Sequence, residues 1–519
     1  MTGHVLKTAV ICVILLCFSD VFSAGIELTA IGARATAMGG NYKGIADDWS
    51  AMYWNPAGLV HTQGWNVGIS LGYVMPAAFY RAGDSHYYNI YGDPDFRRFS
   101  VASQTEQPSE RKYHVAPAAG ISYSTGRMAF GIGLWVPMGW GAKWDLLSTA
   151  DGSPDDFPGT PYYEYNSHYP EFEFESAIQL FDIHPTFSCK VSEKLSFGIG
   201  ASIVAGKVWI RQPAFLQNPY LYDQTMYRTL LELTEEDDVA VLNQMRKPPF
   251  DHLINEAEMN STGMAFGANV GVMYRFSDRF RIGVSLQYYS DFNASGDYNQ
   301  TVYFGDAPLF QELTEVYDEV LFSRLHNGGI IDDRQYQILT DFYSGKVVPL
   351  VDETAELVIP LPMKAGIGVS YSGFDNLLLA VDFNYTRWSV WEIFTIKDLN
   401  GESLSRLPFN WSDTYKLGVG FEYLWGRTHL RGGFSGENRA APDESVSLTI
   451  PDIGDRYTLN LGFALPVGSL QLALNFERIF IGEKHITTWA YDDMTIAQNM
   501  AGIYKVNANT LMLGLDYFF

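Results

Sequence analysis

The feature that most constrains this chain is a period-two alternation that returns about fourteen times, with short and long connections taking strict turns. In Leu195 to Ile203 one face carries Leu195, Phe197, Ile199, Ala201 and Ile203, and the other Ser196, Gly198, Gly200 and Ser202. Successive side chains of a strand point to opposite faces, so this is a strand with one apolar face and one small or polar face. The same division separates Ile367, Val369 and Tyr371 from Gly366, Gly368 and Ser370. It also separates Leu417, Val419, Phe421 and Tyr423 from Gly418, Gly420 and Glu422. Segments of this kind start near Gly64, Tyr113, Met128, Ser176, Lys194, Gly263, Arg279, Glu356, Leu377, Asp413, Arg427, Asp455, Ser469 and Ile503.

A soluble sandwich would alternate too, with its apolar face inward. The connections separate the two readings. Tight turns fall at Thr125-Gly126, Ser192-Glu193, Ser277-Asp278, Gly373 to Asn376, Trp425-Gly426 and Pro466 to Gly468. Between them come long loops: Arg81 to Lys112, Gly139 to Glu175, Arg211 to Thr262, Phe292 to Ala355, Glu392 to Ser412, Asn438 to Gly454 and Gly482 to Gly502. Short periplasmic turns and long outside loops are the habit of outer-membrane barrels, which close with an even number of strands. The fold class is therefore all-β: a transmembrane antiparallel barrel with both chain ends on the periplasmic side. Its last strand, Leu511 to Phe519, ends on an aromatic residue, as such barrels do.

The amino terminus agrees with export. Lys7, the apolar run Ala9 to Phe18 and the stretch Val21-Phe22-Ser23 read as a signal peptide over residues 1–23, cut before Ala24. That run is about half of what a bilayer requires, and no later stretch is long and apolar enough for a membrane helix. Of three cysteines, Cys12 and Cys17 leave with the leader, so Cys189 has no disulfide or zinc partner. A net charge of -24 argues against nucleic acid. No nucleotide, metal or redox cofactor is called for.

A barrel of this width cannot be filled by its own side chains, so its lumen is either an aqueous channel or plugged. Residues 24–62 precede the barrel at 63–519 and are rich in Gly and Ala, including Gly39 and Gly40. Asp47 or Asp48 suits a helix cap, and Asn55-Pro56-Ala57 ends that helix. This compact segment reads as a hatch within the barrel. The loops 211–262 and 292–355 carry apolar stripes at helical spacing, which mark either a ligand groove or two helices that pack on each other: Met226, Leu230 and Leu233 in one, and Leu309, Leu313, Val316, Tyr317 and Val320 in the other. The acidic run from Thr234 to Asp238 would repel free carboxylates, which makes an uncharged hydrocarbon or aromatic compound as admissible as a fatty acid. By strand parity Lys364 and Arg275 face the lumen and are candidate contacts for a carboxylate.

Three stretches stand out beyond these patterns: "ARATAMGGNYKGIADDWSAMYWNPAGL", "GIGLWVPMGWGAKW" and "LRGGFSGENRAAPDESVSLTIPDIGDRYTLNLGF". In them the chain resembles the FadL/TodX family of outer-membrane transporters for long-chain fatty acids and other hydrophobic compounds. The resemblance implies a fourteen-stranded barrel with a hatch, ligand capture by extracellular loops, and sideways release at a kink in the third strand. Gly131 and Gly133, with Pro137 after them, stand where that kink would fall, although these glycines equally read as simple room for neighbouring lumen side chains. Its implied partners are hydrophobic small molecules, outer-membrane lipid and lipopolysaccharide, and the barrel assembly machinery, with the protein working as a monomer. Two rival readings stay open. A general diffusion porin has no reason for a glycine-rich hatch. A barrel enzyme acting on lipids finds no G-x-S-x-G or H-E-x-x-H motif here, and His184 before Pro185 reads as structural.

Overall fold

The computed structural model describes residues 31–82, 107–109, 114–144, 174–217, 252–303, 322–343, 348–487 and 502–518. Its nineteen strand pieces make one antiparallel sheet. In chain order they are β1 (Gly64–Ala82), β2 (Gln107–Pro108), β3 (His114–Ser124), β4 (Met128–Trp144), β5 (Phe174–Lys190), β6 (Leu195–Gln217) and β7 (His252–Arg275). Then come β8 (Phe280–Tyr289), β9 (Phe292–Tyr303), β10 (Val348–Ile359), β11 (Lys364–Phe374), β12 (Leu377–Thr386), β13 (Ile393–Asp398) and β14 (Ser403–Pro408). The last five are β15 (Thr414–Trp425), β16 (Thr428–Glu437), β17 (Arg456–Val467), β18 (Leu470–Ile486) and β19 (Gly502–Phe518). β19 pairs with β1 from Phe518 opposite Asn66 to Gly502 opposite Ala82, and that seam closes the cylinder.

The pieces amount to fourteen crossings, as the alternation predicts. β2 is a two-residue addition on β1, and four crossings are each broken once. β7 pairs with both β8 and β9, which shows that these two are one crossing in two parts. The partner crossing breaks between β10 and β11, where Pro360 and Pro362 have no N–H to give to a ladder. The two remaining breaks separate β12 from β13 and β14 from β15.

Side chains face as a lipid-embedded cylinder requires. Ile199, Ile203, Val272, Val284, Ile367, Val381, Val419, Leu461 and Leu513 are exposed, whereas Ser196, Ser202, Asn269, Ser370, Asn460 and Asn475 are buried. Water outside would demand the reverse. Trp65, Tyr123, Phe276, Phe374, Tyr423 and Trp425 are exposed beside the tight turns, the position of an interfacial aromatic girdle. No described helix is long and apolar enough to cross a membrane.

The long loops begin later than the alternation suggests. β6 and β7 pair continuously from Arg211 opposite Glu258 to Gln217 opposite His252, so neither the loop 211–262 nor the loop 292–355 has those bounds. The stretch from Glu392 to Ser412 folds into the β13–β14 hairpin. The reason is physical: on β9 and β10 the outward positions Asn293, Ser295, Asp297, Thr354 and Glu356 are polar, because these strands continue past the lipid. An apolar outer face marks the membrane, not the end of the strand.

Inside the outer half of the cylinder lies an aromatic cluster. Trp391 packs against Trp140, Trp388, Phe394, Phe409 and Trp411, with ring centroids 4.6–5.5 Å apart. The connection after β16 turns inward beside it, burying Val446, Leu448 and Ile453, and Trp144 Nε1 donates to the Leu448 carbonyl at 2.8 Å.

Candidate functional site

The amino-terminal segment 31–62 occupies the other half of the lumen. It begins with α1 (Ala33–Ala37), whose small side chains let it lie against the inner faces of β16 to β19. Asn475 Nδ2 donates to the Ala33 carbonyl at 2.5 Å. Gly39 and Gly40 have φ of 71° and 75°, a left-handed turn that a Cβ resists, and they reverse the chain toward β12. There a single oxygen of Asp382 accepts the Tyr42 and Lys43 N–H groups, each at 3.0 Å.

The two aspartates at positions 47 and 48 divide the work. Asp48 turns the chain into α2 (Ala51–Trp54), accepting the Ser50 N–H at 2.8 Å and the Ser50 hydroxyl at 2.6 Å, but Ser50 stands at the N-cap itself and neither aspartate side chain bonds the helix N–H groups. Asp47 instead pairs with Arg34 at 2.6 Å. Asn55 then turns the chain, its Oδ1 accepting the Ala57 N–H at 3.2 Å and its Nδ2 donating to the Lys43 carbonyl at 2.9 Å. Pro56 opens a 3-10 turn over Pro56–His61, where a missing N–H costs nothing.

The wall is shaped to this segment by glycine. A Cβ at Gly283 would overlap the Lys43 carbonyl, one at Gly271 the Asn55 side chain, one at Gly198 the backbone of Pro56, and one at Gly433 the backbone of Met38. Wall side chains bond it from many directions: Asn66 to the Trp49 N–H at 3.1 Å, Asn269 to the Met52 carbonyl at 2.7 Å and Ser370 to the Gly44 carbonyl at 2.8 Å. Filling one of these hollows is expected to unseat the segment. Gly283→Leu should cost about 1–3 kcal/mol by overpacking and expose residues 31–62 to limited proteolysis while the barrel stays folded. Gly454→Ala, whose methyl would meet only ordinary contacts at 3.4 Å and beyond, should not.

A charge network fastens the segment. Arg34 forks onto Glu422, Nε to Oε2 at 2.9 Å and Nη2 to Oε1 at 2.8 Å. Glu422 also accepts from Arg431 at 2.6 Å, and Asp47 lies 3.6 Å from Arg281. Glu422 and Arg431 are buried, and buried charges persist only when paired and hydrogen-bonded, as these are.

Of the two candidate cations, Lys364 lies in the lumen against the segment, its Nζ 3.5 Å from the Tyr53 hydroxyl. Arg275 keeps lumenal parity but sits at the rim, its side chain 40% exposed beside Asp278 and donating to the Glu193 carbonyl at 2.9 Å. The groove residues Met226, Leu230, Leu233, Leu309, Leu313, Val316, Tyr317 and Val320 lie outside the described residues.

On β4 the irregularity is not at the glycines. Gly131 stands opposite Ser122 and Thr186, and Gly133 opposite Gly120 and His184, all in regular register. They are glycine because Met52 Sδ and the Trp135 ring fill the space a Cβ would take. The break comes at Val136 and Pro137: Trp135 faces Asp182, the next pair is Met138 with Leu180, and two residues face Phe181 alone. This is a β-bulge, on a residue that cannot donate to a ladder. The β3–β4 ladder ends at the same level, at Ala118 opposite Trp135. Among the described residues β4 continues to Trp144 paired with β5 only, and His114 to Pro117 of β3 pair with β1 only. The wall parts there.

Beside the gap is a buried polar chain that sequence reasoning missed. Asp182 Oδ2 accepts from Ser202 at 2.9 Å and from Tyr289 at 3.3 Å, His184 bridges Ser202 and Asn269, and Asn269 reaches the Met52 carbonyl. The only linear signal was polar residues where the inner face is otherwise small.

The family model described as outer membrane protein transport protein (OMPP1/FadL/TodX) matches residues 160–519. The chain is 24% identical over 220 residues to a 47 kDa outer membrane protein of Pasteurella multocida, spanning 42% of this chain and 44% of that one. It is 21% identical over 464 residues to a long-chain fatty acid transport protein of Escherichia coli, spanning 88% and 86%. By structure it is similar to a FadL homologue of Pseudomonas aeruginosa, with TM-score 0.65, 18% identity, and 96% and 100% of the two chains covered. The toluene transporter TodX of P. putida gives 0.61, 14% identity, and 95% and 99%.

Proposed function

Because this chain belongs to the outer membrane protein transport family OMPP1/FadL/TodX, we propose that it carries hydrophobic compounds passively into the outer membrane, and that it is not an enzyme. The substrate class is bracketed by its relatives, one named for long-chain fatty acids and one for toluene. What supports the reading is a single observation: residues 31–62 pack inside one half of the lumen, while the β3–β4 ladder ends at Ala118 opposite Trp135. A general porin needs the opposite arrangement.

In this mechanism the extracellular loops capture the ligand, and burial drives it inward at about 0.8 kcal/mol per methylene. It moves past the aromatic cluster around Trp391 toward the inner face of β4. Residues 31–62 act as a hatch that blocks the axial route, so the ligand leaves laterally above Trp135 into lipid. The wall supplies small and polar contacts that hold the hatch, and no step consumes energy. The Ser202, His184 and Asp182 side chains do not amount to a nucleophile, since Ser202 donates to Asp182 instead of standing free beside the imidazole. The protein works as a single chain.

Reconstituted in a planar bilayer, the protein is expected to show no large steady ohmic conductance. Vesicles containing it should take up a long-chain fluorescent hydrocarbon faster than empty ones. A large steady conductance with no such uptake would sink the proposal in favour of a diffusion porin.

A further inference from the structure

Two polar atoms beside the gap in the wall are left without a partner among the described residues: Trp135 Nε1, a donor, and Asp182 Oδ1, an acceptor. Both residues are fully buried, and they stand opposite each other as the last β4–β5 pair before the bulge. Opposed residues of an antiparallel pair have Cα atoms only about 4.5–5.5 Å apart. An unsatisfied buried donor or acceptor is costly, and two of opposite kind on adjacent positions are complementary to a group that can serve both.

The surroundings fix the pair in place. Oδ2 of Asp182 is already committed to Ser202 and Tyr289, and the Tyr289 hydroxyl also accepts from Gln287 Nε2 at 2.7 Å. The carboxylate is thereby oriented with Oδ1 left over. The Trp135 indole packs edge-on to Tyr53 of the hatch segment, with centroids 5.7 Å apart, and lies against His184 at 5.0 Å. Trp135 is also the last residue of β4 that both neighbouring strands hold. A molecule leaving through the gap must pass it.

We propose that Trp135 and Asp182 form a polar checkpoint that selects hydrophobic molecules bearing a hydroxyl group. The hydroxyl donates to Asp182 Oδ1 and accepts from Trp135 Nε1, satisfying both orphans at once. A plain hydrocarbon satisfies neither. A carboxylate brings a second negative charge against Asp182, and a ketone offers only an acceptor. This inference rests on the transporter reading and refines it from hydrophobic compounds in general to neutral alcohols and phenols of low polarity.

The test uses the full-length protein in detergent and four probes of one shape: naphthalene, 2-naphthol, 2-naphthoate and 2-acetonaphthone, with equilibrium binding read by fluorescence. Wild type is expected to bind 2-naphthol about tenfold or more tightly than naphthalene or 2-naphthoate. In Asp182→Asn the amide oxygen takes the place bonded to Ser202 and Tyr289, which turns the amide N–H group toward Trp135. Two donors then face the ligand, and preference should move from the naphthol to the ketone. A purely structural role for Asp182 would not produce that inversion. Trp135→Phe keeps the carboxylate and should lose only part of the naphthol preference, which provides a second reading if the asparagine variant does not fold. Naphthalene binding with no naphthol preference in wild type, or an unchanged preference in both variants, overturns the checkpoint alone. Absence of binding by all four probes overturns the transporter reading and the checkpoint with it.

Discussion

Glu422→Gln is expected to convert a closed barrel into one that conducts in bursts. The substitution keeps shape and removes charge at the one carboxylate shared by Arg34 of the hatch and Arg431 of the wall. Arg34 is then left with Asp47, which also serves Arg281, while Arg431, its side chain only 1% exposed, loses the carboxylate it is paired with. Removing one partner of a buried pair costs about 3–5 kcal/mol, because the remaining charge stays desolvated and uncompensated. If that penalty falls on the seated hatch alone, the population of open pores rises roughly a hundredfold or more. Single-channel recordings should show large ohmic steps that wild type lacks. Glu437→Gln serves as control: it removes a carboxylate that pairs with Arg456 across the wall at 3.5 Å, and it should leave the pore closed. If Glu422→Gln stays as silent as wild type, the network does not hold the hatch.

Deleting Val136 is expected to abolish uptake of hydrophobic compounds while making the barrel harder to melt. Two residues of β4 now face Phe181, and removing one restores a one-to-one ladder between Trp135–Asp182 and Met138–Leu180 without shifting any other pair. No side chain changes face, since the slip that would invert them is avoided. With the bulge gone, the upper part of β4 can run beside His114 to Pro117 of β3, which lack a partner on that edge among the described residues. The added ladder stabilises the wall and seals the lateral route. Pro137→Ala returns an N–H but keeps the extra residue, so it should retain most of the uptake. Normal uptake in the deletion variant would show that ligand leaves another way.

The alternation in Leu195 to Ile203 and its fellows was enough to place the wall, because a strand in lipid must turn apolar residues outward at every second position. The inner positions Ser196 and Ser202 followed from the same rule. That rule lost the strand ends on β9 and β10, where lipid gives way to water and Asn293 or Glu356 can face outward without penalty. The kink that the resemblance implied near Gly131 and Gly133 sits instead at Val136 and Pro137, and the two glycines make room for Met52 and Trp135.

The division between what was written in the chain and what required its folding follows from range. Outward hydrophobicity, tight-turn parity and the small-residue composition of residues 31–62 are local, and a linear reading recovers them. The seat of residues 31–62 is not local. Arg34 and Glu422 are 388 positions apart, and the hollow at Gly283 has meaning only against the Lys43 carbonyl. Likewise Trp135 and Asp182 become a complementary donor and acceptor only when β4 and β5 lie side by side. Each of these groups satisfies or frustrates another through burial, and only the closed cylinder decides which groups are buried together.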